Sequence, residues 1–201
     1  IEESPSPFVD EGLRQALGNA AIEVARSVGY SNAGTMEFLV DKNKNYYFME
    51  INARLQVEHP VTELVTGIDI VQQQILLAAV EKLPFRQDDI RLNGWSIECR
   101  INAADPADNF MPSPGEITNL ILPAGPGVRV DTHIFKHCEI SPFYDSLIAK
   151  LVVWAEDRYM AIQRMQKALS EFRIEGIKST LPFHLRVLQD KDFIRGDIDT
   201  H

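Results

Sequence analysis

Apolar positions change period twice along the first third of the chain. After an opening broken by serine-proline pairs, Leu13, Leu17, Ala20, Val24 and Val28 recur at helical spacing behind Asp10, a capping residue. Gly29 and Gly34 flank the helix exit. A strand over 35–40 and a second starting at Tyr46 follow, joined by the polar loop Asp41-Lys42-Asn43-Lys44-Asn45. From Ile51 the alternation is nearly strict. Ile51, Ala53, Leu55 and Val57 are apolar; Asn52, Arg54, Gln56 and Glu58 are polar. This pattern predicts one polar strand face running to Glu58, with His59-Pro60 ending it. A short helical turn over 62–66 stops at Gly67, and Asp69 caps a helix to about Glu81.

The stretch 84–89 has linker composition and sets an expected boundary between domains 1–83 and 84–201. Beyond it the chain is β-rich. Strands are expected over 95–102, 115–122, 128–135 and 147–154, with proline and glycine turns between them. Asp157 caps a helix over 158–172, and 178–188 is mostly helical. The fold class is α+β, without internal repeats.

Composition narrows the function. A chain of 201 residues makes one large domain or two small ones. At 45% hydrophobic and 24% charged it is neither collagen-like nor broadly disordered. The net charge of −9 repels polyphosphate, so no nucleic acid partner is expected. No apolar run is long enough for a bilayer, so no membrane partner is expected either. Cys99 and Cys138 form no CxxC pair and suit a reducing compartment. With no basic and apolar leader pattern in view, the expected location is cytoplasmic.

Candidate chemistry lies on the hairpin. A loop centred near Asn43 sets Leu39 opposite Phe48 and Glu37 opposite Glu50. Opposed side chains share a sheet face with Cβ atoms about 4.5–5.5 Å apart. Two carboxylates there repel unless something neutralises them, and a divalent cation does so. Asn52, on the same face, supplies a third oxygen, and such a hard set suits Mg²⁺ or Mn²⁺ with phosphate oxygens completing the shell. A solvated strand face accounts for the same two glutamates. The continuation adds weight to the first reading: Arg54 suits an oxyanion, Gln56 adds an amide, and Glu58 suits a general base.

The string Met49-Glu50-Ile51-Asn52-Ala53-Arg54-Leu55-Gln56-Val57-Glu58-His59-Pro60-Val61-Thr62-Glu63 closely resembles the signature of biotin carboxylases. Gly34-Thr35-Met36-Glu37-Phe38, Glu98-Cys99-Arg100-Ile101-Asn102-Ala103 and Tyr144-Asp145-Ser146-Leu147-Ile148-Ala149-Lys150-Leu151 agree with it, in order. The resemblance implies the C-terminal half of an ATP-grasp domain followed by a β-rich biotin carboxylase C-terminal domain. It implies ATP, Mg²⁺ or Mn²⁺, bicarbonate, and biotin on a carrier protein or domain. Glu37, Glu50 and Asn52 then resemble the metal ligands that position ATP. Arg54, Gln56 and the backbone of Val57 resemble the bicarbonate cradle, and Glu58 the base that deprotonates bicarbonate. Arg100 resembles the cation that stabilises the biotin enolate; an acid such as Glu98 or Asp145 pairing with it is the structural alternative.

The likeness also implies carboxyltransferase partners, with acetyl-CoA carboxylase the leading parent complex and fatty acid synthesis its setting. The turn Gly125-Pro126-Gly127-Val128-Arg129 falls where many bacterial members make a homodimer contact. A eukaryotic acyl-CoA carboxylase would place the protein in the mitochondrial matrix. No run resembles the family's glycine-rich phosphate loop, and the chain stops at Asp199-Thr200-His201, before the family's last helix. The expectation is a fragment that is inactive alone. The alternatives are a piece of another ATP-grasp ligase, such as a carbamoyl-phosphate synthase, and a non-catalytic docking or dimerisation module.

Overall fold

The computed structural model describes residues 1–199; Thr200 and His201, which end the second expected domain, lie outside the described residues. Strand β1 is Glu2–Ser4. The chain divides into two compact units: Pro5–Leu92, and Ile1–Ser4 together with the described chain from Asn93 onward.

In the 5–92 unit, α1 (Glu11–Ser27) starts where Asp10 accepts a hydrogen bond from Leu13 N at 2.9 Å. Strands β2 (Thr35–Val40) and β3 (Tyr46–Asn52) pair antiparallel. Their turn closes with Asp41 N on the Asn45 carbonyl and Lys44 N on the Asp41 carbonyl, both 2.9 Å. Lys44 takes a left-handed φ of 64° to complete it.

The register departs from expectation in one respect. Glu37 opposes Glu50, but Leu39 faces Tyr47 and not Phe48, which opposes Phe38. Met49 is the extra residue of a β-bulge between these pairs. An unbroken register from the turn would set Glu37 against Met49. The bulge therefore brings Glu50 onto the face of Glu37.

The strand also ends earlier than its alternation predicts. β3 stops at Asn52, opposite Thr35, the first residue of β2, so no strand remains to pair with Arg54, Gln56 or Glu58. Arg54 N donates to the Asn52 carbonyl at 2.8 Å and turns the chain. Helix α2 (His59–Thr66) opens on His59-Pro60, so that dipeptide starts a helix. Proline fits the first turn because the N–H it lacks has no intrahelical partner there. Gly67, at φ 72°, closes α2, and Asp69 caps α3 (Ile70–Ala78) through Gln72 N at 2.7 Å. That helix ends short of Glu81 because Val80 turns left-handed at φ 64°.

The second unit contains β4 (Trp95–Asn102), β5 (Ala104–Asp105), β6 (Met111–Pro112), β7 (Gly115–Glu116), β8 (Asn119–Ile121) and β9 (Val128–Thr132). β10 (Glu139–Ile140), β11 (Leu147–Ala155), α4 (Arg158–Glu171), β12 (Arg173–Glu175), α5 (Leu181–Val187) and α6 (Lys191–Arg195) follow. An antiparallel sheet runs in the order β1-β4-β11-β9. Alternation places Ile97, Cys99 and Ile101 of β4 in one core with Leu151 and Val153 of β11 and Ile162, Met165 and Leu169 of α4. The expected strand over 115–122 is two strands, β7 pairing with β10 and β8 with β12. They part where Ile117 N bonds the Cys138 carbonyl and Thr118 N the Glu175 carbonyl. No helix among the described residues is long and apolar enough to cross a membrane.

Candidate functional site

The hairpin gathers three of the expected residues on one face, and the loop after it adds a fourth. Asn52 Nδ2 donates to Glu37 Oε1 at 2.8 Å and to Glu50 Oε1 at 3.0 Å. Gln56 Nε2 donates to the same Glu37 oxygen at 2.5 Å. Two amides therefore hold one carboxylate while the bulge delivers the other beside it. Glu37, Asn52 and Gln56 are half-buried and Glu50 is exposed.

Gln56 arrives by a different route from the expected strand face. It lies in the loop after β3, folded back onto Glu37. α2 fixes this loop from its far end. Val61 and Val65 are buried, and Glu63 accepts from Ile70 N at 2.7 Å, tying α2 to the start of α3. His59 Nδ1 donates to the Gln56 carbonyl at 2.8 Å. A cleft of about 370 Å³ opens here, lined by Gly34, Thr35, Arg54, Gln56, Glu58 and His59 among others. Arg54 is exposed, with Nη1 on the Leu55 carbonyl at 3.3 Å; Val57 and Glu58 are half-buried.

The donor types fit a hard divalent cation: two opposed carboxylates, and an Asn52 amide whose oxygen would have to replace, toward them, the Nδ2 that now donates to both. Among the described residues no three His, Cys, Asp or Glu side chains gather, so two carboxylates and an amide are what the hairpin offers a metal.

Arg100 belongs to the other unit. Its Nε lies 2.7 Å from Glu2 Oε1, so an acid from β1 meets it. Glu2 is a residue the sequence pattern does not single out. Its only signal is a Glu-Glu pair in an extended stretch, with no pattern to show which strand it would join. On β4, Ser96 and Glu98 are fully buried, and Arg100 is the next residue of their face, with 37% of its side chain exposed. Cys99, on the opposite face, is encased by the core, which pushes its thiol up to about 12.

Comparison with known proteins identifies the family. Residues 98–201 match the family described as the biotin carboxylase C-terminal domain, and residues 1–86 match the ATP binding domain of the carbamoyl-phosphate synthase L chain. The fold is thus α+β, the C-terminal portion of an ATP-grasp domain followed by a β-rich biotin carboxylase C-terminal domain. The chain is 52% identical over 201 residues to biotin carboxylase 1 of Bacillus subtilis, covering 100% of this chain and 45% of that protein. It is 49% identical over 200 residues to the biotin carboxylase of a Nostoc species, covering 100% of this chain and 45% of that one. The crystal structure of the Hydrogenobacter thermophilus 2-oxoglutarate carboxylase biotin carboxylase domain dimer, in complex with MgADP, ADP and bicarbonate, superimposes with TM-score 0.97 at 48% identity, covering 98% of this chain and 44% of that one. This chain belongs to the biotin carboxylase family. It spans less than half the length of these relatives.

Proposed function

We propose that the chain is the C-terminal part of a biotin carboxylase, which uses ATP and bicarbonate to carboxylate biotin on a carrier. The observation that carries this reading is the convergence of Glu37, Glu50, Asn52 and Gln56 on one face, beside a cleft holding Arg54 and Glu58. Glu37, Glu50 and Asn52 hold Mg²⁺ or Mn²⁺, which when bound neutralises and orients nucleotide phosphates. Arg54 pairs with bicarbonate, helped by Gln56 and the main chain of Val57. Glu58 takes the bicarbonate proton. Arg100 supplies a fixed positive charge where the ureido oxygen of biotin gains negative charge. The related structure that carries MgADP and bicarbonate supports this ligand set.

The 201-residue chain alone holds part of this apparatus and does not carboxylate biotin by itself. Exposed apolar groups on the 5–92 unit support that view: Phe48 and Met49 on β3 and Ile75 on α3 are surfaces for further polypeptide of the same enzyme to cover. The partners are the biotin carrier and carboxyltransferase subunits, with a second copy of the enzyme as in the dimeric relative. Acetyl-CoA carboxylase is the favoured parent complex, and the acyl acceptor is chosen by the carboxyltransferase.

Mn²⁺ titration of the full-length protein, followed by electron paramagnetic resonance, tests the metal assignment. Glu50→Gln should weaken binding by about tenfold or more. Equal affinities for the two proteins would remove Glu50 from the set.

A further inference from the structure

Arg100 is held by its main chain as well as its side chain. β1 covers the edge of β4 through the pairs Ser4↔Ser96 and Glu2↔Glu98. Arg100 and Asn102 present their backbone groups on that same edge, since alternate residues of a strand point their N–H and C=O the same way. Buried groups of this kind need partners. The start of α5 supplies them. Thr180 N donates to the Asn102 carbonyl at 3.1 Å, and Asn102 N donates to Thr180 Oγ1 at 3.0 Å. Thr180 Oγ1 donates to the Arg100 carbonyl at 3.2 Å, and His184 Nε2 approaches the same oxygen at 2.7 Å.

A carbonyl only accepts, so Nε2 carries the proton and His184 is the donor. Burial holds the imidazole below its ordinary pKa and favours the neutral ring. His184 and Thr180 are 6% and 5% exposed, so solvent does not compete for the bond.

We propose that His184 is a positioning residue for Arg100, fixing through its carbonyl the point on β4 from which the guanidinium reaches biotin. This rests on the assignment of Arg100 to the biotin side of the site. Glu2 restrains the guanidinium at Nε, but the side chain pivots at its Cα. A peptide freed from His184 rotates, and displacements of about 1 Å cost up to roughly 10²-fold in rate.

The test uses the full-length protein with free biotin as acceptor, reading biotin-dependent ATP cleavage. His184→Leu keeps the bulk and removes the donor. It should lower kcat by about tenfold with KM for ATP held within about twofold. His184→Gln keeps a side-chain N–H and should recover most of the rate. In an Arg100→Ala background His184→Leu should add no further loss. Thr180→Val, which removes the longer bond to the same carbonyl together with the acceptor of Asn102 N, should lose about threefold and keeps the test open should His184→Leu fail to fold.

An unchanged kcat in both His184→Leu and Thr180→Val overturns the proposal. So do equal losses in His184→Leu and His184→Gln that track a drop in Tm, or fully additive losses with Arg100→Ala. A wild-type protein whose ATP cleavage ignores biotin overturns the assignment of function and this inference together. A wild type that responds to biotin beside indifferent variants overturns this inference alone.

Discussion

Glu37 shows what single side chains decide here and how far they were readable. Its opposition to Glu50 followed from loop position and strand parity only through a register one residue off at Leu39, an offset that the Met49 bulge makes good at Glu37. The two amides that hold it did not, because Gln56 reaches it from a loop whose course depends on where β2 begins. Arg100 was readable as a strand residue with a pairing acid, but Glu2 as that acid lies 98 positions away in the chain. Burial of the two thiols is also a residue-scale matter, with an expected consequence. Cys99 is wholly enclosed and its pKa is pushed up to about 12, whereas Cys138 is half-buried. At pH 8 the Cys99 thiolate, the reactive form, is negligible. Iodoacetamide labelling followed by peptide mapping should modify Cys138 in the native protein, and Cys99 only after denaturation. Labelling of both at equal rates would show that the core around Ile97 and Ile101 opens readily.

At the level of elements, caps were legible and partners were not. Asp10, Asp69 and Asp157 each cap the helix their position announced, because an N-cap is a local contact with an amide three residues on. The Met49 bulge and the stop of β3 at Asn52 depend on the exact pairing with β2 across the hairpin, and the split of β7 from β8 depends on β10 and β12 further along the chain. α5 was expected within 178–188, but its bonds to β4 link residues 84 positions apart. These bonds predict a pH response. Burial lowers the pKa of His184 below its unfolded value of 6.5. Protonation is therefore easier in the unfolded chain, which binds more protons as pH falls below 6.5. The contribution of His184 to stability is full above that pH, declines as pH falls toward the folded pKa, and levels off below it. Urea unfolding of the wild type should show this decline. His184→Gln should flatten that part of the profile, and an unchanged slope would assign the titration elsewhere.

For the whole molecule, the order of the chain matters more than any one element. It lays down β1 at residues 2–4, builds the 5–92 unit, and returns at Trp95 with β4, which pairs with β1 as the edge strand of its sheet. Periodicity cannot reveal this, because a three-residue strand carries no pattern and its partners lie over 90 positions away. β1 is held by one carboxylate that accepts from two side chains. Glu3 accepts from Trp95 Nε1 at 2.7 Å, and from Arg158 Nε at 2.8 Å and Nη2 at 3.1 Å. Arg158 also donates to the Phe193 and Ile194 carbonyls, so the same guanidinium links β1 to α6. Glu3 and Arg158 are only 11% and 13% exposed, a regime in which removing one partner strands the other charge out of water. Glu3→Ala should therefore destabilise the unit that contains β4 by about 3 kcal/mol. Glu3→Gln keeps an acceptor for Trp95 and should lose less. Equilibrium urea unfolding of the full-length variants measures both. A Glu3→Ala protein within about 0.5 kcal/mol of wild type would mean that this contact behaves as a surface pair and that the sheet does not depend on it to retain β1.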